Sequence, residues 1–330
     1  MEDTPPSGLW GNVIATFQRS CYVLGANGDL MCIADDSLVD GPVMLRVDFP
    51  KPLYVDALGV RTGMPLWVED RDLRLGPRIL LRMSDARLWT PPVVKRSAAP
   101  ELILGSLTTL AAGLAPAAPG DGLAPLVGCG EDLASGRPVR SSRRSQVVRA
   151  ALPGLRQLVK GLRTRDALAV DRGVERLIGL GPGLTPSGDD FLGGLMVGLT
   201  RTLESRWGES DGPHAGRRYP NEQGSIKAVA DSIRRHAANR TTAISAGLLR
   251  HAAQGIGSAP VHNLVQLVLG TASTAKSKAA ALAVAGAGHT SGWDCLAGLF
   301  LGMHIGLWRE GREASRQWGC RSHRLKCGVV

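Results

Sequence analysis

The sequence predicts an α+β protein in which a small N-terminal β-barrel or sandwich-like domain precedes a mainly α-helical domain. Short β-branched segments, separated by glycine and proline, fill roughly the first 95 residues. After Pro91-Pro92 the composition shifts to Ala, Leu and Gly with helical periodicity. One glycine-rich loop followed by an apolar segment occurs twice in this second part. We therefore predict a β-rich domain over 1–95, a helical domain over 96–310 and a basic tail over 311–330.

Several short strands are expected in the N-terminal domain. Asn27-Gly28 lies between two apolar runs, and this pair suits a tight hairpin turn. Short strands at such spacing are typical of a small barrel or sandwich. The predicted strands are Asn12–Gln18, Cys21–Leu24, Leu30–Ile33, Val43–Val47, Leu66–Glu69 and Arg78–Arg82.

The remainder of the chain reads as helices joined by short loops. Pro153 falls inside the second helix and predicts a kink or split, because proline lacks the backbone N–H that an interior helical position donates. The polar segment 207–222 is expected to form a loop. The predicted helices span 99–114, 141–163, 166–178, 188–206, 224–237, 242–254, 260–270, 274–285 and 292–310.

Composition indicates a soluble protein with no membrane span. Of 330 residues, 44% are hydrophobic and 21% charged, and no apolar run approaches the roughly 18 residues that a span requires. The acidic, proline-bearing N-terminus does not resemble a signal peptide, so we expect a cytoplasmic location. Six scattered cysteines form no C-x-x-C pair, which favours reduced thiols over zinc ligands or disulfides.

The net charge of +10 requires a hypothesis about partners. Nucleic acid is one interpretation, but no helix-turn-helix, RNP or zinc-finger pattern accompanies the charge, and aromatic residues are only 4%. We therefore expect no nucleic acid partner and favour solvated helix faces that attract small anionic substrates. The two basic clusters are Arg137, Arg140, Arg143, Arg144, Arg149, Arg156, Lys160, Arg163 and Arg165, and Arg309, Arg312, Arg316, Arg321, Arg324 and Lys326.

The repeat is the most informative feature of the chain. Ser187–Gly198 and Ser291–Gly302, 104 residues apart, are identical at seven of twelve positions. Each copy runs from a glycine-rich loop through Ser-Gly-x-Asp into an apolar stretch, which predicts a loop leading into a buried helix. The S-x-x-D pattern resembles a capping box within each copy.

Each repeat helix also carries two glycines at positions i and i+4. Gly194 and Gly198 form this stripe in the first copy, and Gly298 and Gly302 form it in the second. Because glycine costs about 1 kcal/mol of helix propensity relative to alanine, its use here indicates close helix packing. If the two helices cross symmetrically, their N-terminal loops converge on one pocket.

The free N–H groups and the dipole at a helix start attract anions, and glycines allow an anion to approach the backbone. Arg240, before another helix, could hold an oxyanion with Thr241 and Thr242; the alternative is a threonine cap beside a surface arginine. The candidate residues for binding a substrate or phosphate are Gly181, Gly183, Thr185, Ser187, Gly188, Arg240, Thr241, Thr242, Gly288, Thr290, Ser291 and Gly292.

Acidic residues at the loop mouths are the candidate catalytic groups. Asp189, Asp190 and Asp294 could orient an amide or move a proton, and the Asp189-Asp190 pair could hold Mg²⁺. His289, in the second loop, could transfer a proton. The alternative interpretation is that the aspartates only cap helices, the glycines only serve packing and His289 is an ordinary polar residue.

Three strings resemble the AllH family: GLGPGLTPSGDDFLGGLMVGL, RTTAISAGLLRHAAQG and GHTSGWDCLAGLFLGM. The resemblance implies a subunit of oxamate carbamoyltransferase, which converts oxalurate and phosphate to oxamate and carbamoyl phosphate in an assembly with two other kinds of subunit. All these ligands are small anions. Two alternatives remain open: a non-catalytic scaffold subunit of such a complex, and a stand-alone metal-dependent hydrolase of an amide or ureido compound.

Overall fold

The computed structural model describes residues 8–48, 55, 58–93, 97–139, 145–207 and 220–308. The predicted basic tail, the second basic cluster and three arginines of the first cluster (Arg140, Arg143 and Arg144) lie outside these residues. So does most of the loop predicted over 207–222. The division into domains at residue 95 stays a prediction; the sheet ends at Leu81 and the first helix begins at Pro100.

The N-terminal part forms one seven-stranded sheet that curls into a nearly closed barrel. Neighbouring strands are antiparallel except β3 and β4, and the order across the sheet is β4-β3-β2-β1-β5-β6-β7. This confirms the predicted α+β class and, of the two predicted forms of the N-terminal domain, the barrel. The strands are β1 Gly8–Phe17, β2 Ser20–Gly25, β3 Leu30–Asp35, β4 Met44–Val47, β5 Pro65–Glu69, β6 Asp72–Leu75 and β7 Ile79–Leu81.

The six predicted strands are present, and β6 is the one that the sequence prediction missed. Its residues alternate between Leu73 and Leu75, which are buried, and Asp72 and Arg74, which are less so. Taken alone, a four-residue segment with two charged residues is more typical of a turn than of a strand. The predicted hairpin at Asn27-Gly28 is confirmed, since Gly28 has a φ of 79° between the antiparallel strands β2 and β3.

Ten α-helices follow in the described part of the chain, nine of them close to the predicted segments. Pro153 does not split its helix, which continues through it. The sequence prediction missed the short helical turns around 115–134, including α2. The helices are α1 Pro100–Leu114, α2 Gly130–Ala134, α3 Gln146–Thr164, α4 Ala167–Leu177, α5 Ser187–Trp207, α6 Pro220–Arg240, α7 Ala243–Ala252, α8 Ala259–Leu269, α9 Thr274–Ala285 and α10 Ser291–Gly306.

The two repeat helices, α5 and α10, pack against each other along their glycine stripes. A Cβ on Gly194 or Gly198 would overlap the carbonyl oxygen of Cys295 or Leu299, respectively. A step of four residues along α5 therefore matches a step of four along α10 in the same direction, so the helices run parallel. In return, a Cβ on Gly298 would overlap the carbonyl oxygen of Phe191.

These contacts are symmetric under exchange of the copies. Phe191 occupies the place in its copy that Cys295 occupies in the other. The symmetry extends to the preceding helices, because a Cβ on Gly188 would overlap the carbonyl of Leu177 in α4, and one on Gly292 would overlap that of Val284 in α9. The repeat is therefore a helix–loop–helix unit, and its two copies form a buried parallel pair with both N-termini at one end.

The barrel contacts the helical part through α7. Gly247 leaves room for Leu30, which would otherwise meet a Cβ 2.6 Å away. Ile244 shares an apolar cluster with Leu30 and with other residues of the barrel. Arg250 donates to the carboxylate of Asp29 at 3.1 Å. None of the helices in the described part of the chain combines the length and apolarity needed to cross a membrane.

Candidate functional site

The two repeat loops meet at the N-terminal end of the helix pair. The hydroxyl oxygens of Thr185 and Ser291 lie 3.0 Å apart, within hydrogen-bonding distance. Because α5 and α10 are parallel, the positive ends of both helix dipoles lie at this junction. The two loops therefore meet, and that they form one pocket stays a prediction.

The serine and aspartate of each copy interact across the pair and not within it. The hydroxyls of Ser291 and Thr185 are close enough to Asp190 to lower its pKa, and that of Ser187 acts likewise on Asp294. The predicted capping boxes are wrong for a simple reason. Helix α5 already begins at Ser187, and the N-cap of α10 is Thr290, which makes no side-chain cap hydrogen bond.

Asp294 is sealed by a backbone segment, Gly122–Ala124, which we call the strap. The N–H of Leu123 donates to Oδ1 of Asp294 at 2.7 Å, and the N–H of Ala124 also acts on this carboxyl. Gly122 has a φ of 56°, and a Cβ there would lie 2.7 Å from Oδ1. The strap therefore needs glycine at this position, and Asp294 is fully buried beneath it.

Asp190 has different surroundings. The residue is partly exposed, and its Oδ2, like that of Asp294, is buried and has no hydrogen-bond partner. Among the described residues, only side-chain hydroxyls act as donors toward this carboxyl, and no backbone N–H does so. The copies of the repeat thus share one backbone geometry but differ in access to the acid.

Asp189 ties three elements together. Its Oδ1 accepts the N–H of Gly179 at 2.7 Å, and its Oδ2 accepts the hydroxyls of Ser245 (2.6 Å) and Thr241. The residue is only 2% exposed. With three donors already bound, this carboxylate is poorly placed to ligate Mg²⁺. In the described ranges, no group of three or more His, Cys, Asp or Glu side chains could hold a metal ion.

Burial raises the pKa of all three acids. The pKa of Asp190 lies well above 3.8 because of burial, and the charges of Asp294 and Asp189 add to the shift. Burial also raises the pKa of Asp189 and of Asp294, although their donors oppose it. A carboxyl that stays neutral does not repel an incoming anion and can supply a proton.

A consequence for stability follows from the raised pKa of Asp190. The folded chain holds this proton above pH 4, where the unfolded chain has lost it, so stability falls as pH rises through that window. We expect Asp190→Asn to be more stable than the wild type at pH 8, with an advantage that grows from pH 4 upward; one pKa unit corresponds to about 1.4 kcal/mol. Urea denaturation of both proteins at pH 5, 6.5 and 8 measures this difference.

The comparison isolates Asp190 because other titrating groups are common to both proteins. Burial lowers the pKa of His262 and His304 to about 4, so both oppose folding at acidic pH in the wild type and in the variant alike. A stability difference that does not change with pH would contradict the raised pKa of Asp190.

The helix N–H groups predicted to bind an anion are partly occupied. The N–H of Gly188 donates to the carbonyl of Leu180, and that of Gly292 donates to the carbonyl of Ala287, both at 2.9 Å. The absence of a Cβ at these glycines is required for helix packing, as the alternative interpretation held. Their role in binding stays a prediction.

The loops are shaped by glycines in conformations that other residues rarely adopt. Gly181 and Gly183 have φ values of 111° and 101°, and Gly288 has 63°. Pro182, between the first two glycines, has no N–H to offer an anion. A Cβ on Gly183 would meet nothing within 4 Å, so this part of the loop is open to a ligand.

The other predicted residues surround this junction at varying distance. Thr242 caps α7 by accepting the N–H of Ser245, and its hydroxyl donates to the carbonyl of Leu184 at 2.5 Å. Arg240 is exposed and pairs with Glu175 at 3.2 Å, which supports the alternative of a surface arginine. His289 is exposed beside Gly288. Their proposed roles in binding or catalysis stay predictions.

Part of the first basic cluster lies elsewhere. Arg156 and Lys160 of α3, with Arg172 of α4, line a surface cleft of about 420 Å³. No residue of either repeat loop lines this cleft. The basic surface and the loop junction are therefore separate features.

Sequence reasoning missed several residues that shape the junction. The strap, Gly179 and Ser245 were not selected, although each donates to or covers one of the acids. Tyr22 of β2 was missed too; burial and the neighbouring Cys32 raise the pKa of its phenol most, and the charge of nearby Asp190 adds to the shift. A buried pair of helix-start acids signals that donors must exist, but it does not say where in the chain they are.

Comparison with known families agrees with this architecture. Residues 177–303, from the end of α4 into α10, match the family described as oxamate carbamoyltransferase subunit AllH. Residues 2–88 match the AllH family N-terminal domain. The chain belongs to the AllH family. The two AllH matches cover most of the chain, one containing the whole repeat and the other the barrel. A search of solved structures found no match.

Proposed function

We propose that the chain is a subunit of an oxamate carbamoyltransferase-like complex and binds its small anionic substrate at the junction of the repeat loops. The contact between Thr185 and Ser291 carries the proposal, because it brings the N-terminal ends of both repeat helices together beside the partly exposed Asp190. The AllH family membership supports the reaction class.

The reaction would be phosphorolysis of oxalurate. A phosphate oxygen forms a bond to the carbamoyl carbon, the bond from that carbon to the oxamate nitrogen breaks, and the nitrogen takes up a proton. Asp190 is suited to supply this proton because its raised pKa keeps the carboxyl protonated where an ordinary aspartate is ionised. The open glycine loops would hold the anionic part of the substrate.

Calorimetric titration with inorganic phosphate and with carbamoyl phosphate tests the proposal, on the chain alone and with its companion subunits. We expect saturable binding to the wild type and at least tenfold weaker binding to the double variant Thr185→Ala, Ser291→Ala, because two hydroxyl donors are lost. Thr109→Ala is the matched control, since Thr109 is exposed on α1 and bonds only its own helix.

The outcomes separate this proposal from the two alternatives. If neither ligand binds in either setting, the proposal is wrong. A complex that stays fully active when both hydroxyls are removed would support a scaffold subunit. Activity of the chain alone that requires Mg²⁺ or Mn²⁺ would support the hydrolase, although Asp189 is already saturated with donors.

A further inference from the structure

Asp190 and Asp294 occupy equivalent positions in the repeat, so each shows what the other could bind. Each aspartate is the fourth residue of a Ser-Gly-x-Asp sequence and lies in the first turn of one of the two parallel helices. Each also faces a serine from the opposite copy. The two copies also differ in sequence, since Asp189 precedes Asp190 whereas Trp293 precedes Asp294, and the strap is a further difference that comes from outside the repeat.

On the Asp294 side, the backbone of the protein supplies the hydrogen-bond donors for the carboxyl group. The N–H groups of Leu123 and Ala124 are the two consecutive donors of the strap. The strap is held in place because the hydroxyl of Ser145 donates to the carbonyl of Gly122 at 2.7 Å. Ser145 also accepts the N–H of Val148 at the start of α3, so the strap is anchored to a helix.

On the Asp190 side, no such donors are present in the described part of the chain. Oδ2 is a buried oxygen without a hydrogen-bond partner in Asp190 and in Asp294 alike, which costs free energy, so the two sides differ in the strap donors and not in this atom. Asp190 nevertheless keeps some exposure, so a small molecule can reach it. The missing element is a pair of N–H donors at the position that the strap occupies on the other side.

We propose that Asp190 is the specificity-determining residue of the site and accepts the N–H groups of a carbamoyl or ureido ligand, as Asp294 accepts those of the strap. The inference rests on the proposed function and deepens it. It assigns ligand recognition to one half of the repeat, because the strap closes the other half. Asp294 is then a structural residue that fixes the strap.

The chemistry of the groups supports this assignment. A carboxyl oxygen that carries no proton accepts an N–H donor, whereas phosphate at neutral pH presents mainly acceptor oxygens and has no N–H group to offer. A ureido group offers adjacent N–H donors in one plane, much as the peptide groups of the strap do. Phosphate would instead occupy the glycine loops around Gly183, where the structure leaves open space.

The barrel completes the surroundings of Asp190. Tyr22 lies on β2, next to the thiol of Cys32, and packs with the apolar cluster that joins the barrel to α7. The charge of Asp190 contributes to the raised pKa of Tyr22, so this face of the barrel lies near Asp190, on the side that the strap does not cover. The N-terminal barrel therefore lies beside the accessible half of the site.

The test compares Asp190→Asn with the pseudo-equivalent variant Asp294→Asn. Calorimetry measures binding of oxalurate, which carries N–H donors, and of inorganic phosphate, which lacks them. We expect Asp190→Asn to bind oxalurate at least tenfold more weakly and phosphate within about twofold of the wild type, because one strong hydrogen bond corresponds to at least a tenfold change. Asp294→Asn should bind both ligands within about twofold.

Each other outcome has a defined meaning. If Asp190→Asn keeps its affinity for oxalurate, or loses oxalurate and phosphate equally, the assignment is overturned while the proposed function stands. If Asp294→Asn selectively loses affinity for oxalurate, Asp294 recognises the ligand and the assignment to Asp190 is overturned. If the wild type binds neither ligand, alone or with companion subunits, the proposed function fails and the assignment with it. Denaturation curves of both variants show whether each is folded.

Discussion

Replacing Gly298 with alanine is expected to destabilise the protein by about 3 kcal/mol or more, enough to unfold a marginally stable chain. The added Cβ would overlap the carbonyl oxygen of Phe191 on the facing helix. A backbone atom cannot rotate away as a side chain can, so α5 and α10 must separate. The gain of about 1 kcal/mol in helix propensity does not offset this loss of packing.

Gly193→Ala is the matched control, because it makes the same chemical change on the same pair of helices. Its Cβ would lie 3.7 Å from that of Ala252, an ordinary van der Waals distance. We expect this variant to be as stable as the wild type or more stable by up to about 1 kcal/mol. Thermal and urea denaturation followed by circular dichroism measures both. Equal stability of the two variants would contradict the close parallel packing.

The sequence was sufficient to predict this packing because the signal is local and repeated. Glycine at i and i+4 in two related helices has a cost that only close approach explains. The same reasoning did not separate the roles of Gly188 and Gly292. Glycine before a helix is compatible with an approaching anion and with an approaching helix, and the carbonyls of Leu177 and Val284 now account for it.

The strap could not have been predicted from the sequence. Leu123 and Asp294 are 171 positions apart, and the donor is a backbone N–H that any residue except proline carries. The capping-box interpretation failed for a related reason. In the sequence, a serine three residues before an aspartate gives the same pattern whether the serine hydroxyl bonds to a group of its own helix or to one of a neighbouring helix. Only the parallel arrangement of two copies decides between these possibilities.

The two halves of the repeat differ in the access that they give to their aspartate. This difference suggests how a nearly symmetric pair of helices binds an asymmetric ligand. Two identical open halves would present two acceptor sites to one small molecule. The strap removes one of them and leaves Asp190, with the loops around Gly183, to define a single orientation. Part of the asymmetry lies outside the repeat, in the segment before α3 and in the barrel, so a comparison of the two copies alone does not show all of it.

Asp189→Ala is expected to be the most damaging change among the three acids. Alanine leaves the N–H of Gly179 and the hydroxyls of Thr241 and Ser245 without their acceptor. Each unsatisfied buried donor costs about 1–3 kcal/mol, so a total of several kcal/mol follows. The loss also releases the first repeat loop from α7, which should abolish phosphate binding even where the variant remains folded.

Asp189→Asn separates a positioning role from a catalytic one. The amide keeps the shape of the side chain and one acceptor oxygen for Gly179, and it can donate to the hydroxyl of Ser245, which rotates to accept. Asparagine should therefore recover most of the stability and phosphate affinity that alanine loses. Urea denaturation, calorimetry and carbamoyl transfer by the complex are measured on both variants. If Asp189→Asn is as stable as the wild type and binds phosphate, yet transfers no carbamoyl group, Asp189 takes part in the chemistry. If activity returns together with stability, its function is to hold the loop, and the reacting acid is its neighbour Asp190.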